Sequence, residues 1–388
     1  MLGLVQNWGG ERIDADYEVP SDQVFWKTSI TLIKNTNSLD VLNGTIGPRT
    51  TARMGRGRPS WVSDWSHPSD VYETQRLANI RFYNASENSP RTSVKLHGKS
   101  ILEIGGFAVD RIAVVASELP LAEDGDPRRW RAVVAEWERA LEPMRVSRRG
   151  SYIGGGTISN AFWRTLCGDL EHRRDLQSGH TEWHRTSDAR RYTYQDWRSE
   201  DTATRRRTSI IAGYLQESAG PSNPETADRN AFHHAVECAS GWRRFFITER
   251  GYIGSGPRDT AAGDSIFIVP GVRVPFIFRN SPAMYYCRDD AIEELIRESQ
   301  ETFLQKAFQN AQKGAKEPNK ERLRKAAKDR SRQSLSEGDP SEAVKSTCKE
   351  AHGHCYTVVG DAYVHQLMDG QFHFLVGGIP SPTPTYLI

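Results

Sequence analysis

Apolar positions in the first half of the chain recur at the spacing of amphipathic helices. The pattern predicts a helix over "SDQVFWKTSITLIKNTNSLDVL", residues 21–42, behind the helix-start residues Ser21 and Asp22. It predicts a second helix over "DPRRWRAVVAEWERALEPM", residues 126–144, and a third over "SNAFWRTLCGDL", residues 159–170, with Ser159 or Asn160 as its N-cap.

Other segments show the short alternation typical of strands. Residues 93–119, "SVKLHGKSILEIGGFAVDRIAVVASEL", alternate and then become continuously apolar, which indicates a strand pair. Five further runs rich in Val, Ile, Phe and Tyr lie near the end of the chain: "RRFFIT" (243–248), "SIFIVP" (265–270), "VPFIFR" (274–279), "YTVVG" (356–360) and "AYVHQLM" (362–368). Short strands separated by Gly and Pro turns predict a small antiparallel barrel.

These elements predict an α+β fold in which a helical N-terminal layer packs on a small antiparallel C-terminal β-barrel that carries a helical insertion. We place the mainly helical region with its strand pair at residues 1–220 and the barrel region at 221–388, with the helical and basic insertion at 289–345. The segment "GPSNPETADRN", residues 220–230, has the composition of a linker. Residues 171–207 lack a clear period and are interpreted as an exposed helical region or a loop.

The glycine-rich stretch "GYIGSGPRDTAAGD", residues 251–264, does not have the order of a dinucleotide-binding loop. The strand-like run "SIFIVP" follows it, so no helix N-terminus would face a phosphate. We interpret Gly251, Gly254 and Gly256 as turn residues with positive φ, and Gly263 with Asp264 as the closure of a hairpin into the next strand.

Composition narrows the class of protein. The chain has 388 residues and a net charge of +2, so its charge calls for neither nucleic acid nor an anionic membrane. No apolar run has the length of a membrane span and the first residues lack the pattern of a signal peptide, which predicts a cytoplasmic protein. Five cysteines are an odd and sparse set that favours reduced thiols.

Several motifs together resemble fungal heterokaryon incompatibility (HET) proteins. The C-terminal half of that family is similar to "RRFFITERGYIGSGPRDTAAGDSIFIVPGVRVPFIFR", residues 243–279, followed by "YTVVGDAYVHQLMDG", residues 356–370. Upstream, "PSWVSDWS" and "FWRTLCGD" resemble two further family segments, and the predicted first helix resembles the one that follows the HET domain. In the family, a HET domain related in fold to TIR domains precedes this region. Because the chain begins where that domain would be finishing, we expect the cell-death effector to be absent.

Polar residues at family-matched positions are the candidate site. Their distribution over the predicted strands places them at the barrel mouth or on its face toward the helices: Arg243, Arg244, Asp264, Arg279, Tyr363, His365 and Asp369. As catalytic residues, His365 is the candidate general acid or base, Asp369 or Asp264 would orient it, and Tyr363 would donate a hydrogen bond. The binding candidates are Trp61, Trp65, Arg243, Arg244 and Arg279. Each also has a structural interpretation, as a cap, an ion pair or a core anchor.

Other groups contain residue types that bind metal ions or phosphates, but simpler structural interpretations account for them. Cys348, His352, His354 and Cys355 lie close together without zinc-finger spacing, and His180 with His184 lacks the H-E-x-x-H pattern. The acidic residues Asp290, Glu293 and Glu294 suit the first turn of a helix, and the basic run at 313–332 lacks interleaved aromatic residues. We therefore predict no metal and no cofactor.

Two functions from different classes remain. The first is a stand-alone recognition or regulatory module of the HET type, with a protein partner. The second is a cofactor-independent enzyme of fungal secondary metabolism that isomerises, cyclises or hydrolyses a small apolar molecule. An enclosed pocket lined by Trp61, Trp65, Tyr363 and His365 would favour the enzyme, whereas an exposed apolar patch would favour partner binding.

Overall fold

The computed structural model describes residues 10–11, 13, 18–44, 59–66, 69–87, 89, 94–97, 101–121, 127–174, 181–199, 224–281, 355–372 and 382–388. Its helices are α1 (Ser21–Thr36), α2 (Val71–Asn79), α3 (Pro127–Ala140), α4 (Glu142–Ser147), α5 (Ile158–Leu166), α6 (Arg190–Ser199) and α7 (Pro224–Ser240). Its strands are β1 (Lys95–His97), β2 (Ile101–Glu118), β3 (Leu170–Arg174), β4 (Thr181–Arg185), β5 (Arg243–Thr248), β6 (Ile253–Pro257), β7 (Ser265–Ile268), β8 (Phe276–Asn280), β9 (Cys355–Asp361), β10 (Tyr363–Val364) and β11 (Thr383–Leu387). The predicted insertion at 289–345 lies outside the described residues.

Five strands close into a barrel. The pairing runs β2–β11–β9–β8–β7 and returns to β2, which pairs with β11 near its start and with β7 along its middle. The predicted α+β fold with a small barrel is thus confirmed. One pairing corrects it, because β11 and β9 run parallel, so the barrel is not wholly antiparallel. Strand β2 of the barrel comes from residues 1–220, predicted to be mainly helical with a strand pair, so the barrel is not confined to residues 221–388.

Strand β2 is long enough to belong to two layers. Its last third leaves the barrel and pairs with β5, and β5, β6 and β10 extend the sheet on that side. Register shifts near Ile112 and Val115 mark irregular pairing between β2 and β5. Bulges of this kind bend a strand and increase its twist. The strand pair predicted at 93–119 is confirmed, since β1 pairs with the start of β2.

Both faces of the barrel strands are buried, which explains their continuous apolar runs. On β7 and β8, alternate residues fall into two clusters. Phe267, Phe276 and Phe278 pack in the cluster that contains Trp61 and the α1 residues Ile30 and Ile33. Ile266, Ile268 and Ile277 pack in a second cluster with Phe246 of β5. A third cluster joins α3, α5, α6 and α7 to β5, where the ring of Trp137 stacks on Phe245 at 5.4 Å.

The helical part departs from the sequence prediction in its boundaries. Helix α1 ends at Thr36, because Asn37 adopts a left-handed conformation, and a separate 3-10 helix covers Asp40–Leu42. Neither predicted residue caps α5; Thr157 does, since its side chain accepts a hydrogen bond from the Asn160 N–H at 3.1 Å. None of the helices in the described part of the chain combines the length and the apolar character that crossing a bilayer requires.

Two segments that were not predicted as definite helices or strands form regular secondary structure. The predicted linker at 220–230 contains the start of α7, whose first residue is Pro224, a favoured residue in a first helical turn. Residues 171–207, interpreted as helix or loop, contain most of the hairpin β3–β4 and then α6. The hairpin was missed because its strands carry His, Arg, Glu and Trp rather than an apolar alternation.

The first part of the glycine-rich stretch contains strand β6, which corrects the turn interpretation of two glycines. Of the three glycines predicted to have positive φ, Gly251 does, at 94°, while Gly254 and Gly256 lie inside β6. The hairpin predicted at Gly263 is also wrong, since β6 and β7 do not pair with each other. Glycine is needed at 254 for space, because a Cβ there would lie 2.3 Å from the carbonyl oxygen of Tyr363 on the neighbouring strand.

Replacement of Gly254 by alanine is expected to lower the free energy of unfolding by about 1–3 kcal/mol, because the backbone of β10 would have to move. The matched control is Gly106→Ala in β2, where the nearest atoms are the side chains of Phe267 and Thr385 at 3.2 and 3.3 Å. Urea unfolding followed by tryptophan fluorescence compares the two. Equal effects of the two substitutions would contradict the close approach of β6 and β10.

Candidate functional site

The segment from Tyr363 to Asp369 carries three of the four predicted catalytic residues. Tyr363 belongs to β10, and His365 begins the turn that follows it. The backbone of His365 is fixed at both ends: its N–H donates to the Ile253 carbonyl at 2.9 Å, and its carbonyl accepts from the Tyr152 hydroxyl at 3.3 Å. The ring of His365 therefore has a defined position relative to β6 and to the Tyr152 ring, 5.3 Å away.

Tyr363 and His365 form a hydrogen-bonded pair. The Tyr363 hydroxyl lies 3.1 Å from His365 Nδ1. Burial, reinforced by Asp169, raises the pKa of Tyr363 well above its usual value, so the hydroxyl keeps its proton. Burial also lowers the pKa of His365 to about 4. The imidazole is then neutral at pH 7, and its Nε2 makes no hydrogen bond to any residue the structure describes.

Asp369 pairs with an arginine and not with His365. Its carboxylate accepts a hydrogen bond from Arg185 of β4, and Arg185 also lies 3.3 Å from Asp169. Burial raises the pKa of Asp369 although Arg185 opposes the shift. The guanidinium of Arg185 lies 5.2 Å from the ring centre of Tyr83, which in turn contacts Tyr363 edge to face. Asp369 thus anchors the hairpin to the segment, and nothing in its contacts orients the imidazole.

Asp264 also pairs with an arginine and not with His365. It is buried in the turn before β7, where it accepts hydrogen bonds from Arg279 Nε at 2.7 Å and from the Ala261 N–H at 2.8 Å. The Arg279 guanidinium additionally donates to the Asp259 carbonyl at 2.6 Å. Within the described residues no hydrogen bond or ion pair joins this group to His365. Two residues predicted to act in one site therefore form a structural pair of their own.

Arg243 lies in a third group, which is fully buried. It donates to the Asp361 carbonyl at 2.7 Å and to the Ser255 carbonyl at 3.1 Å, and its guanidinium lies 3.4 Å from the Asp361 carboxylate. Arg76 of α2 also donates to this carboxylate. Burial opposes ionisation of Asp361, but the two arginines outweigh it and hold its pKa below the ordinary value. This group joins α2, β5 and β9.

Arg244, the neighbour of Arg243, has backbone partners. Its Nε donates to the Ala116 carbonyl at 2.9 Å and its Nη1 to the Thr260 carbonyl at 3.3 Å. It therefore ties the end of β2 to the turn after β6. The predicted binding arginines thus serve different parts of the fold and do not converge on one surface.

The two predicted tryptophans differ in exposure. Trp61 is 0% exposed and belongs to the cluster between the barrel and α1, whereas Trp65 is 37% exposed and contacts the edge of Phe25. Ser63 between them donates its N–H to the Ser29 hydroxyl at 3.1 Å. A proline at this position would have no N–H and could not make this bond. The loop is thus fixed to α1 with one tryptophan buried and one accessible.

The metal interpretations gain no support. Within the described residues, no three His, Cys, Asp or Glu side chains group as a metal ion would need. His184 lies on β4 and Cys355 is a buried cysteine at the start of β9. The other residues of those motifs, His180, Cys348, His352, His354, Asp290, Glu293 and Glu294, lie outside the described residues, as does the basic run at 313–332.

Sequence reasoning missed the residues that connect these groups, namely Arg76, Asp169, Arg185 and Asp361. One signal could have found Asp361: it is the acidic residue in the apolar run "YTVVGDAYV", and a charge within a buried strand requires a buried partner. Arg185 and Asp169 had no such signal, because they lie among many other charged residues.

Residues 99–291, just under half of the chain, match the family model of the Het-6 beta-barrel domain. The matched range runs from β2 to β8 and is consistent with a region related to the HET family, as the sequence motifs indicated. Strands β9, β10 and β11, which complete the sheet, follow the matched range. No curated protein and no solved structure matches the chain.

Proposed function

We propose that this chain is a recognition or regulatory module of the HET-family type, in which the barrel and its helices present a surface to a protein partner. One observation carries the proposal. The acidic residues that a catalytic site would need are engaged in ion pairs that hold the fold together: Asp369 with Arg185, Asp264 with Arg279, and Asp361 with Arg76 and Arg243. Neither Asp264 nor Asp369 is left to work with His365.

Trp65 is our candidate contact residue in this module. Exposed aromatic side chains are enriched among the residues that dominate binding energy at protein interfaces. Trp65 lies on a loop whose backbone is fixed by Ser60 and Ser63: the Ser60 hydroxyl accepts from the Val358 N–H at 2.9 Å, and the Ser63 hydroxyl donates to the Val41 carbonyl at 2.9 Å. A rigidly presented aromatic side chain loses little conformational entropy when it binds.

The test is photo-crosslinking in cells of the source organism, with p-benzoylphenylalanine in place of Trp65. We expect a discrete and reproducible cross-linked protein from this position. The control places the same group at Val146 of α4, which is 78% exposed and should give no cross-link to that protein. The proposal fails if position 65 gives no reproducible product, or if both positions give the same set of products.

The second candidate function is a cofactor-independent enzyme of secondary metabolism that acts on a small apolar molecule. The Tyr363–His365 pair favours it, because a neutral imidazole that is hydrogen-bonded to a tyrosine can use its other ring nitrogen to bind a substrate and relay a proton. His365→Gln is expected to remove this chemistry. If the enzyme hypothesis holds, the variant changes the metabolite profile of the source organism at equal protein level, whereas His97→Gln on β1 does not. An unchanged profile with His365→Gln would remove this candidate.

A further inference from the structure

The hairpin β3–β4 is separate from the rest of the sheet. Its two strands pair only with each other, whereas all other described strands belong to the nine-stranded sheet. A two-stranded hairpin alone is marginally stable in water. Its position therefore depends on side-chain contacts with its neighbours. The chemistry of those contacts determines the conditions under which the hairpin stays packed against them.

On one side the hairpin packs against α7 through a group of histidine and tryptophan rings. The ring of His172 on β3 lies 5.3 Å from the ring of His234 on α7, and Trp183 on β4 lies 5.6 Å from His234 and 4.9 Å from His172. Two imidazoles at this distance pack well when both are neutral and repel when both are protonated.

The groups around these rings decide their response to acid. The titratable residues that face them are His184 on β4, His233, Glu237 and Cys238 on α7, and Tyr72 with Asp70 at the start of α2. Glu237, which favours a charged His234, is shared with His233 at 3.4 Å and with the Tyr72 hydroxyl at 3.5 Å. Nε2 of His184 is buried and has no hydrogen-bond partner. The surroundings as a whole therefore favour neutral imidazoles.

The pKa values follow from this packing. Burial, helped by His172, lowers the pKa of His234 to about 4, and burial with His184 lowers the pKa of His172. A histidine whose pKa is depressed in the folded state contributes its full stability above its unfolded pKa of about 6.5 and loses it as the pH falls toward the folded value. The contact between the hairpin and α7 should therefore weaken between about pH 6.5 and pH 4.

Ion pairs also hold the hairpin. Arg185 holds Asp369 and Asp169, and Arg190 joins Glu171 of β3, at 2.5 Å, to Asp228 of α7, at 2.9 Å. Burial raises the pKa of Asp369, so acid does not make this residue less compatible with the fold.

We propose that the hairpin β3–β4 is an acid-sensitive element that separates from α7 when His172 and His234 become protonated, while the barrel stays folded. The repulsion between the two charged rings opens the contact, and the hairpin swings away around its Arg185 and Asp169 anchors. This role is independent of the function proposed above.

Hydrogen exchange measured by mass spectrometry tests the proposal on the wild-type chain. Between about pH 7 and pH 5, and after correction for intrinsic exchange, the peptides covering β3 and β4 should lose about tenfold or more of their protection relative to those covering β8 and β9. Unchanged protection of the hairpin would overturn the proposal, as would equal loss from hairpin and barrel.

Substitutions of the histidines test whether His172 and His234 cause the loss of protection in acid. The double variant His172→Phe with His234→Phe keeps aromatic packing but cannot be protonated, so it should keep its protection at about pH 5. The control is His97→Phe on β1, whose ring contacts Tyr386, and it should lose protection as the wild type does. A full loss in the double variant would overturn the assignment to these histidines. If the double variant does not fold, the single substitution His234→Phe, expected to reduce the loss, takes its place.

Discussion

Replacement of Asp361 by asparagine is expected to lower the free energy of unfolding by about 3–5 kcal/mol. The side chain keeps its shape but loses the charge that faces Arg76 and Arg243, whose side chains are 15% and 6% exposed. Arg76 would keep only the more exposed Glu73 at 3.6 Å, whereas the buried Arg243 would lose its carboxylate partner. Removing one partner of a buried ion pair costs far more than the pair contributes.

Urea unfolding measures this effect, and Asp188→Asn provides the matched control. Asp188 also accepts a hydrogen bond from an arginine, Arg164 at 2.7 Å, but its side chain is 86% exposed. Exposed ion pairs contribute little to stability, so the control should unfold at the wild-type urea concentration. If Asp361→Asn were as stable as the control, Asp361 would not be the buried centre that joins α2, β5 and β9.

Replacement of Trp61 by alanine is also expected to lower the free energy of unfolding by about 3–5 kcal/mol. Trp61 is fully buried between α1 and the barrel, next to Ile33, Phe276 and Phe278. Removal of the indole leaves a cavity that these side chains can fill only in part, and the lost burial adds to the cost of the cavity.

Trp65→Ala is the comparison for Trp61→Ala, because it removes the exposed tryptophan of the same loop instead of the buried one. Because Trp65 is 37% exposed and contacts Phe25 by its edge, its removal should lower the free energy of unfolding by about 1 kcal/mol or less. Thermal and urea unfolding of the two variants give the comparison. A Trp65 variant as unstable as the Trp61 variant would exclude Trp65 as an accessible binding residue.

The barrel was predictable because several of its strands have the residue pattern that is typical of buried strands. Strands β7, β8 and β9 are short, rich in β-branched and aromatic residues, and both of their faces are buried. Strand β5 has the same pattern but lies beside the barrel, which corrects its predicted place as a barrel strand. Closure was harder to foresee, because it depends on β2, whose residues pair successively with β11, β7 and β5. Partners of a long strand are set by tertiary packing, and apolar periodicity does not reveal them.

The candidate site was predictable only in its residue types. The family-matched positions do carry buried polar groups, but the sequence has no information on which charges meet. Asp264 and Arg279 are 15 residues apart and pair directly, whereas Arg185 reaches Asp369 across 184 residues. Pairings over such distances follow from the closed topology, which brings the hairpin β3–β4 beside the segment after β10.

Binding of the partner found by cross-linking, compared between the wild type, Trp65→Ala and His365→Gln, tests the recognition role most directly. We expect Trp65→Ala to weaken binding about tenfold or more. We expect His365→Gln, which changes a residue paired with the buried Tyr363, to bind as the wild type does. Wild-type binding by Trp65→Ala together with lost binding by His365→Gln would contradict the recognition role.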